Sequence, residues 1–372
     1  MLIGVPKEVK ADEYRVGLIP STAKELVARG HDLMVETLAG DGAGISDAEY
    51  AAAGARVVAS ADPIFQRAEL IVKVKEPLAA ERRKLRRGQI IFAYLHLAPD
   101  PAQAHDLIAS GVTAIAYETV TDAAGKLPLL APMSKVAGRM APQVAAHFLE
   151  RPQGGRGVLL GAVDGVPSAK LVILGGGVVG SNATEVAIGM GAGVTVVARR
   201  TETAQQISRL FGGRVNAAVA GPGTIEALCM SADVVIGAAL VAGGAAPKLI
   251  SARTIATMKP GSVIVDVSID QGGCAETSHP TTHSHPTFTV DGVVHYCVAN
   301  MPGAVPRTST FALNNATRPF ILALADKGFP LALIDDVHLR NGLNVHGGKV
   351  TCRAVADALR LPYTPAADML GA

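Results

Sequence analysis

Gly175, Gly177 and Gly180 stand in the run LVILGGGVVG (171–180) at Gly-x-Gly-x-x-Gly spacing. An apolar strand pattern leads into them. A helix pattern of small residues and a second apolar strand follow, completing LVILGGGVVGSNATEVAIGMGAGVTVVA (171–198). In that context the spacing implies chemistry on phosphates: a turn that receives a dinucleotide pyrophosphate. Gly175 permits the tight turn, Gly177 lets the backbone approach the pyrophosphate, and Gly180 lets helix and strand pack closely. The helix N-terminus adds N–H donors and the positive end of its dipole.

The second strand closes in VVARRTE (196–202), with Ala198, Arg199 and Arg200 where an NAD site usually places Asp or Glu. Ala198 cannot accept hydrogen bonds from ribose hydroxyls. Adjacent arginines would attract a 2′-phosphate, which argues for NADP acceptance. The competing reading puts both arginines on the solvated start of the next helix, with NAD still bound. Both readings stay open, and the cofactor expected is NAD(P).

Two other stretches suggest sites. In HPTTHSHP (279–286), His279, His283 and His285 have donor atoms for zinc, but two prolines and small hydroxyl residues favour a rigid loop, and no metal is expected. AGDGAGISD (39–47) is also glycine-rich after a strand. Its next helix starts only at Ser46 or Asp47, so a flexible loop is expected there.

The elements that must position these residues alternate along the chain. Strand patterns fall at 2–5, 32–37, 70–75, 90–97 and 113–118, and again at 171–175, 194–198, 233–237 and 262–268. Helical patterns separate them, such as STAKELVARG (21–30), read with a Ser21 cap and a Gly30 stop. APMSKVAGRMAPQVAAHFLE (131–150) reads as one long helix, and the tail from about 308 as mostly helical. Pro142 and Pro319 are expected to begin, kink or interrupt their helices. Such alternation implies α/β architecture: two doubly wound, Rossmann-like domains with parallel sheets. The expected nucleotide-binding domain, 130–306, is inserted into a domain formed by 1–129 and 307–372.

Composition agrees with a chain of 372 residues folding as two domains, 49% hydrophobic and 18% charged. A net charge of +2 carries no nucleic-acid footprint. The basic run ERRKLRR (81–87) reads as a solvated helix face. Cys229, Cys274, Cys297 and Cys352 are too scattered for a disulfide framework or a zinc site. With no leader pattern in MLIGVPKEVK and no apolar run of membrane-spanning length, a cytoplasmic protein without a membrane partner is expected.

Longer blocks carry a resemblance. PKEVKADEYRVGLIP (6–20), VKVKEP (72–77), YLHLA (94–98), YETV (117–120), LPLLAPMSKVAGRMA (127–141), VDVSIDQGGC (265–274) and YCVANMPGAVPRTST (296–310) are similar, in sequence and in order, to bacterial alanine dehydrogenases. That family is related to the NAD-binding domain of proton-translocating transhydrogenase and shares its double α/β architecture. The resemblance implies interconversion of L-alanine with pyruvate and ammonia, a cleft active site between the domains, and a homohexamer.

It also implies residue roles. Arg15 matches the arginine that grips the substrate carboxylate, and Lys75 the lysine that polarises the keto oxygen; Lys73 is a lower-ranked alternative to Lys75. His96 matches the proton-trading catalytic histidine, and Asp270 the carboxylate that orients water or ammonia. Dinucleotide contacts match Ser134, Val178, Val179, Ala239 and Leu240, with His279 as a weaker match. Val267, Ser268, Ile269 and Asp270, with Val298, Ala299, Asn300 and Met301, match the nicotinamide side. The departure from the family pattern lies at the adenosine end, at Ala198, Thr203 and Ala220. Besides the dehydrogenase, the sequence admits a transhydrogenase-like NAD(P)-binding subunit, a non-catalytic nucleotide sensor, or a reductase of a related imine or 2-oxo acid.

Overall fold

The computed structural model describes residues 1–221, 223–239 and 246–371. The chain forms two compact units, Met1–Met133 with Val305–Ala372, and Ser134–Ala304.

The first unit holds β1 (Leu2–Val5), β2 (Asp32–Glu36), β3 (Arg56–Val58), β4 (Leu70–Val72), β5 (Ile90–Ala93) and β6 (Thr113–Ala116). In the second lie β7 (Lys170–Leu174), β8 (Gly193–Ala198), β9 (Val215–Val219), β10 (Val234–Gly237), β11 (Val263–Asp266), β12 (Thr287–Val290) and β13 (Val293–Tyr296). The chain then returns to the first unit with β14 (Leu343–His346) and β15 (Lys349–Val350). The sheet orders are β15-β14-β6-β5-β4-β1-β2-β3 and β12-β13-β11-β10-β7-β8-β9.

Both units are α/β and doubly wound. All pairings among β1–β6 are parallel, with Ile3 opposite Leu33 on one side and Leu70 on the other. Strands covered on both faces are apolar throughout rather than alternating. Accordingly Leu70, Ile71 and Val72 are fully buried, as are Val234, Val235 and Ile236. Each sheet also carries antiparallel strands at one edge, β14–β15 in the first and β12 in the second, which the expected parallel sheets did not include.

Other local expectations are met in part. The first long helix is Pro20–Ala28, capped from Ile19 without a side-chain bond, because Pro20 supplies the pre-set first position and leaves Ser21 inside. The 39–47 stretch contains a 3-10 turn, Asp41–Ala43, before Ser46 and Glu49 close a reciprocal capping box on Asp47–Ala52. The basic run is not one helix face: its helix, Ala79–Arg82, is short. Arg82 pairs with Asp106, Lys84 pairs with Asp62, and Arg86 donates to the Gln66 and Ala68 carbonyls. Pro142 and Pro319 lie inside helices Ala131–Phe148 and Pro306–Lys327, which continue past them. Among the described residues no helix is long and apolar enough to cross a membrane. All four cysteines are free thiols.

Candidate active site

In the first sheet the winding reverses between β1 and β4. The chain goes from β1 outward to β2 and β3, then resumes on the other side of β1. Loops leaving the C-terminal ends of two such strands diverge and leave a crevice. The loop after β1 carries Arg15, the chain after β4 carries Lys75, and the chain after neighbouring β5 carries His96.

Arg15 is buried and held by Glu13: Nε donates to Oε1 at 2.6 Å, and Nη2 donates to Oε2. Its Nη1 lies 3.0 Å from Met133 Sδ. Burial works against the charge, but the Glu13 carboxylate outweighs it and raises the guanidinium's pKa further. A hollow of about 330 Å³ is lined by Lys7, Glu8, Glu13, Tyr14, Arg15 and Leu38 among others. Neither Lys75 nor His96 lines it, so it contains only one of these three matched residues.

The two lysines have separate environments. Lys73 is fully buried, and its ammonium donates to Glu8 at 3.0 Å and Glu81 at 2.9 Å. Burial opposes its charge, yet the two carboxylates prevail and hold its pKa above the ordinary value. Lys73 is thus committed to the interior, whereas Lys75 is half-buried beyond the strand. Glu8 joins the loop after β1 to the end of β4 by accepting the Val74 N–H at 2.6 Å and the Lys75 N–H at 3.3 Å.

His96 is exposed, with a left-handed backbone at φ 48°. Such a conformation costs a non-glycine residue about 1–2 kcal/mol, so neighbouring bonds must hold it. Its N–H donates to Glu118 Oε1 at 2.6 Å, and its ring stacks on Tyr94 with centroids 5.9 Å apart.

The second sheet reverses between β7 and β10. The glycine turn follows β7, and Ala239 follows β10. Gly175 has φ 122°, and a Cβ there would lie 2.5 Å from the Ala238 carbonyl oxygen. A Cβ on Gly180 would lie 1.8 Å from the Gly175 carbonyl oxygen. One on Gly177 would meet nothing within 4 Å. The backbone is therefore tight where helix and strand meet and open where a ligand would approach. Helix Val178–Gly189 begins there without a side-chain cap, so its first N–H groups can serve an anion. Val178 is exposed and Val179 is largely buried. This arrangement fits a dinucleotide pyrophosphate.

Ala198 ends β8 almost fully buried, its carbonyl accepting the Ala220 N–H at 2.8 Å. Arg199 and Arg200 are exposed beside the start of helix Thr201–Phe211, and among the described residues neither forms an ion pair.

Beyond β11 the 3-10 turn Val267–Gln271 carries Ser268, Ile269 and the exposed Asp270. Asp266 organises it, accepting from Ser268 N at 3.1 Å, Cys274 N at 2.8 Å and Ser278 Oγ at 2.7 Å. Ser268 Oγ in turn donates to the Ala239 carbonyl at 2.7 Å. Leu240 lies outside the described residues. Val298 bridges Thr281, Ala299 follows it, Asn300 is left-handed at φ 72°, and Met301 is buried. Ser134 is half-buried in helix Ala131–Phe148. His279 stacks on Phe288 with centroids 3.7 Å apart, and His283 Nε2 donates to the Asn300 carbonyl at 3.1 Å. Among the described residues no three His, Cys, Asp or Glu side chains form a metal-ready group.

Sequence reasoning did not single out Glu8, Glu13, Glu118 or Asp266 as partners of site residues. Glu13 stands two positions before Arg15, a spacing that could have suggested the pair. Asp266 likewise reaches Ser268 two positions on, whereas Glu8 and Glu118 become partners only through folding.

Two doubly wound α/β units, the second built on a glycine turn fitted to a dinucleotide, define a two-domain nucleotide-binding protein. The chain belongs to the alanine dehydrogenase/PNT family: the N-terminal domain of that family matches residues 4–137 and the C-terminal domain residues 141–353. It is 56% identical over 371 residues to an alanine dehydrogenase from Halomonas elongata, covering 100% of both chains. A solved L-alanine dehydrogenase structure matches with TM-score 0.93 and 51% identity, over 97% of this chain and 99% of the other. A transhydrogenase from Sinorhizobium meliloti matches with TM-score 0.81 and 26% identity, over 95% and 100%.

Proposed function

We propose that the chain is an L-alanine dehydrogenase, interconverting L-alanine with pyruvate and ammonia, and that it accepts NADP. The observation carrying the reaction is the placement of Arg15, Lys75 and His96 beyond three neighbouring parallel strands, in a chain so similar to alanine dehydrogenases.

When bound by the second unit, the nicotinamide supplies the hydride acceptor or donor. Arg15 anchors the substrate carboxylate, its guanidinium held in place by Glu13. Lys75 donates to the keto oxygen of pyruvate, favouring attack on that carbon. His96 takes a proton as the amine becomes an imine and returns it as the carbinolamine forms and collapses. Asp270 accepts a hydrogen bond from the water or ammonia that adds. Ser134, Ala239, His279 and the 267–270 and 298–301 stretches surround the dinucleotide in this reading, with Leu240 assigned from sequence alone.

NADP acceptance rests on Ala198, Arg199 and Arg200. Exposed cations at the start of a helix oppose its dipole, whereas a 2′-phosphate there meets both the arginines and the helix N-terminus favourably. The family resemblance further supports a cytoplasmic homohexamer, which sedimentation of the purified protein measures. The testing experiment is pyruvate- and ammonia-dependent oxidation of NADH and NADPH, assayed separately. Turnover with NADPH supports the whole reading. Turnover with NADH alone removes the NADP part, and no turnover with either overturns the dehydrogenase. The transhydrogenase likeness supports a second reading, a dinucleotide-binding subunit, which predicts binding without pyruvate turnover.

A further inference from the structure

We propose that Glu118 is the positioning residue for His96. The inference rests on reading His96 as the proton carrier of the reaction. Glu118 stands on the 3-10 turn Tyr117–Thr119 that follows β6, while His96 follows the adjacent strand β5. Its carboxylate receives two successive main-chain donors: His96 N–H on Oε1 at 2.6 Å, and Leu95 N–H at 3.2 Å from each oxygen. Consecutive N–H groups converging on one point form an anion-binding concavity, which a carboxylate fills better than a neutral acceptor.

The bonds act where the backbone is least able to hold itself. His96 sits at φ 48°, and without the Glu118 carboxylate the residue would favour an extended or right-handed backbone that swings the imidazole away. The carbonyl of Leu95 is held from the other side by Gln103 Nε2, and the Leu95 side chain is fully buried. The Glu118 turn is itself fastened across the sheet, because Asn344 on β14 donates to Thr119 Oγ1 at 2.7 Å. The antiparallel strand β14 thus braces the turn that aims His96. Glu118 acts through the main chain and needs no contact with substrate.

The test is a double-mutant cycle on the full-length enzyme with Glu118→Ala, His96→Ala and both together. Misplacing a reacting group by about 1 Å costs on the order of 100-fold, so Glu118→Ala should lower kcat for pyruvate amination about 10- to 100-fold. KM for pyruvate and Kd for the dinucleotide, followed by its fluorescence, should stay within about twofold, since neither anchor is touched. Glu118→Gln keeps an acceptor oxygen and should recover most of the loss. In the His96→Ala background, Glu118→Ala should cost nothing further. Should Glu118→Ala fail to fold, the cycle is run with Glu118→Leu, which keeps the bulk but has no acceptor oxygen, and a several-fold loss that vanishes without His96 supports the proposal. Losses that multiply, or an unchanged kcat in the folded Glu118 variant, overturn it. An unchanged kcat in His96→Ala alone instead overturns the reading of His96.

Discussion

Glu13 and Arg15 close on each other inside the first unit: the guanidinium's Nε and Nη2 meet the two carboxylate oxygens, and both side chains are almost entirely buried. The proposed carboxylate anchor therefore already holds a carboxylate of its own. Removing Glu13 takes the hydrogen-bonded carboxylate away from a buried cation, and breaking such a pair costs about 3–5 kcal/mol. Glu13→Ala is expected to lower Tm, read by thermal unfolding. Added pyruvate should raise Tm more in the variant than in the parent, because its carboxylate replaces part of what was lost. Equal thermal shifts in both would contradict this.

The two lysines should separate stability from turnover. Lys73→Met strands Glu8 and Glu81 in the interior and is expected to cost about 3–5 kcal/mol, read by denaturant unfolding. Half-buried Lys75 should behave oppositely: Lys75→Ala loses most pyruvate turnover with a smaller stability change. Finding the larger stability loss at Lys75 would reverse the assignment.

The glycine turn makes a paired prediction. Gly180→Ala drives a methyl into the Gly175 carbonyl and should lower both Tm and dinucleotide affinity. Gly177→Ala meets open space at an ordinary negative φ, so Tm should hold while affinity falls, because the methyl occupies the pyrophosphate's approach. A Gly177→Ala protein that binds dinucleotide as tightly as the parent would remove that approach from the account.

Cofactor choice is tested at the end of β8. Ala198→Asp combined with Arg199→Ser and Arg200→Ser places an acid near the 2′-phosphate and removes two cations. A penalty of about 1.4 kcal/mol is tenfold, so the NADPH-to-NADH ratio of kcat/KM should fall at least about tenfold. A ratio that does not move would show that neither arginine meets the phosphate.

Stability should decline below neutral pH through His295. This residue is fully buried, with Nε2 at 2.8 Å from Thr277 Oγ1 and Nδ1 at 2.9 Å from the Val293 carbonyl oxygen. Burial pushes its pKa below the ordinary value; the Val293 carbonyl and Asp266 oppose that push, and His279 adds to it. The unfolded chain then binds more protons than the folded one once pH falls below about 6.5. Stability is full above that pH and is lost as pH drops towards the folded value. Burial lowers His346 as well, so the two act in the same direction. Tm measured between about pH 8 and 5.5 should fall on the acid side, and His295→Gln should flatten part of the slope; an unchanged slope would clear His295 of that role.

Much of the fold could be read from periodicity. Apolar runs such as LIGV and IIFA mark strands buried on both faces, and the glycine spacing marks the phosphate turn because only glycine tolerates the contacts found at 175 and 180. The antiparallel edges also carry local signals: Asp291-Gly292 and Gly347-Gly348 both have positive φ and join β12 to β13 and β14 to β15, as two-residue hairpin turns do. The strands end at Val72 and Ala93 rather than at 75 and 97, because apolar and β-favouring residues continue past the ladder into the segments that carry Lys75 and His96.

The sequence by itself determined the two-unit α/β plan, the glycine turn and the family, since these rest on local spacing and on blocks read in order. Tertiary structure decided the electrostatic partners: Glu13 on Arg15, Glu8 and Glu81 on Lys73, Glu118 on the His96 backbone, Asp266 on the turn before Asp270. A charge inside a protein is governed by whatever lies within hydrogen-bond reach after burial. For Lys73 one of those partners, Glu8, comes from 65 positions away in the chain, and no local pattern specifies such a meeting.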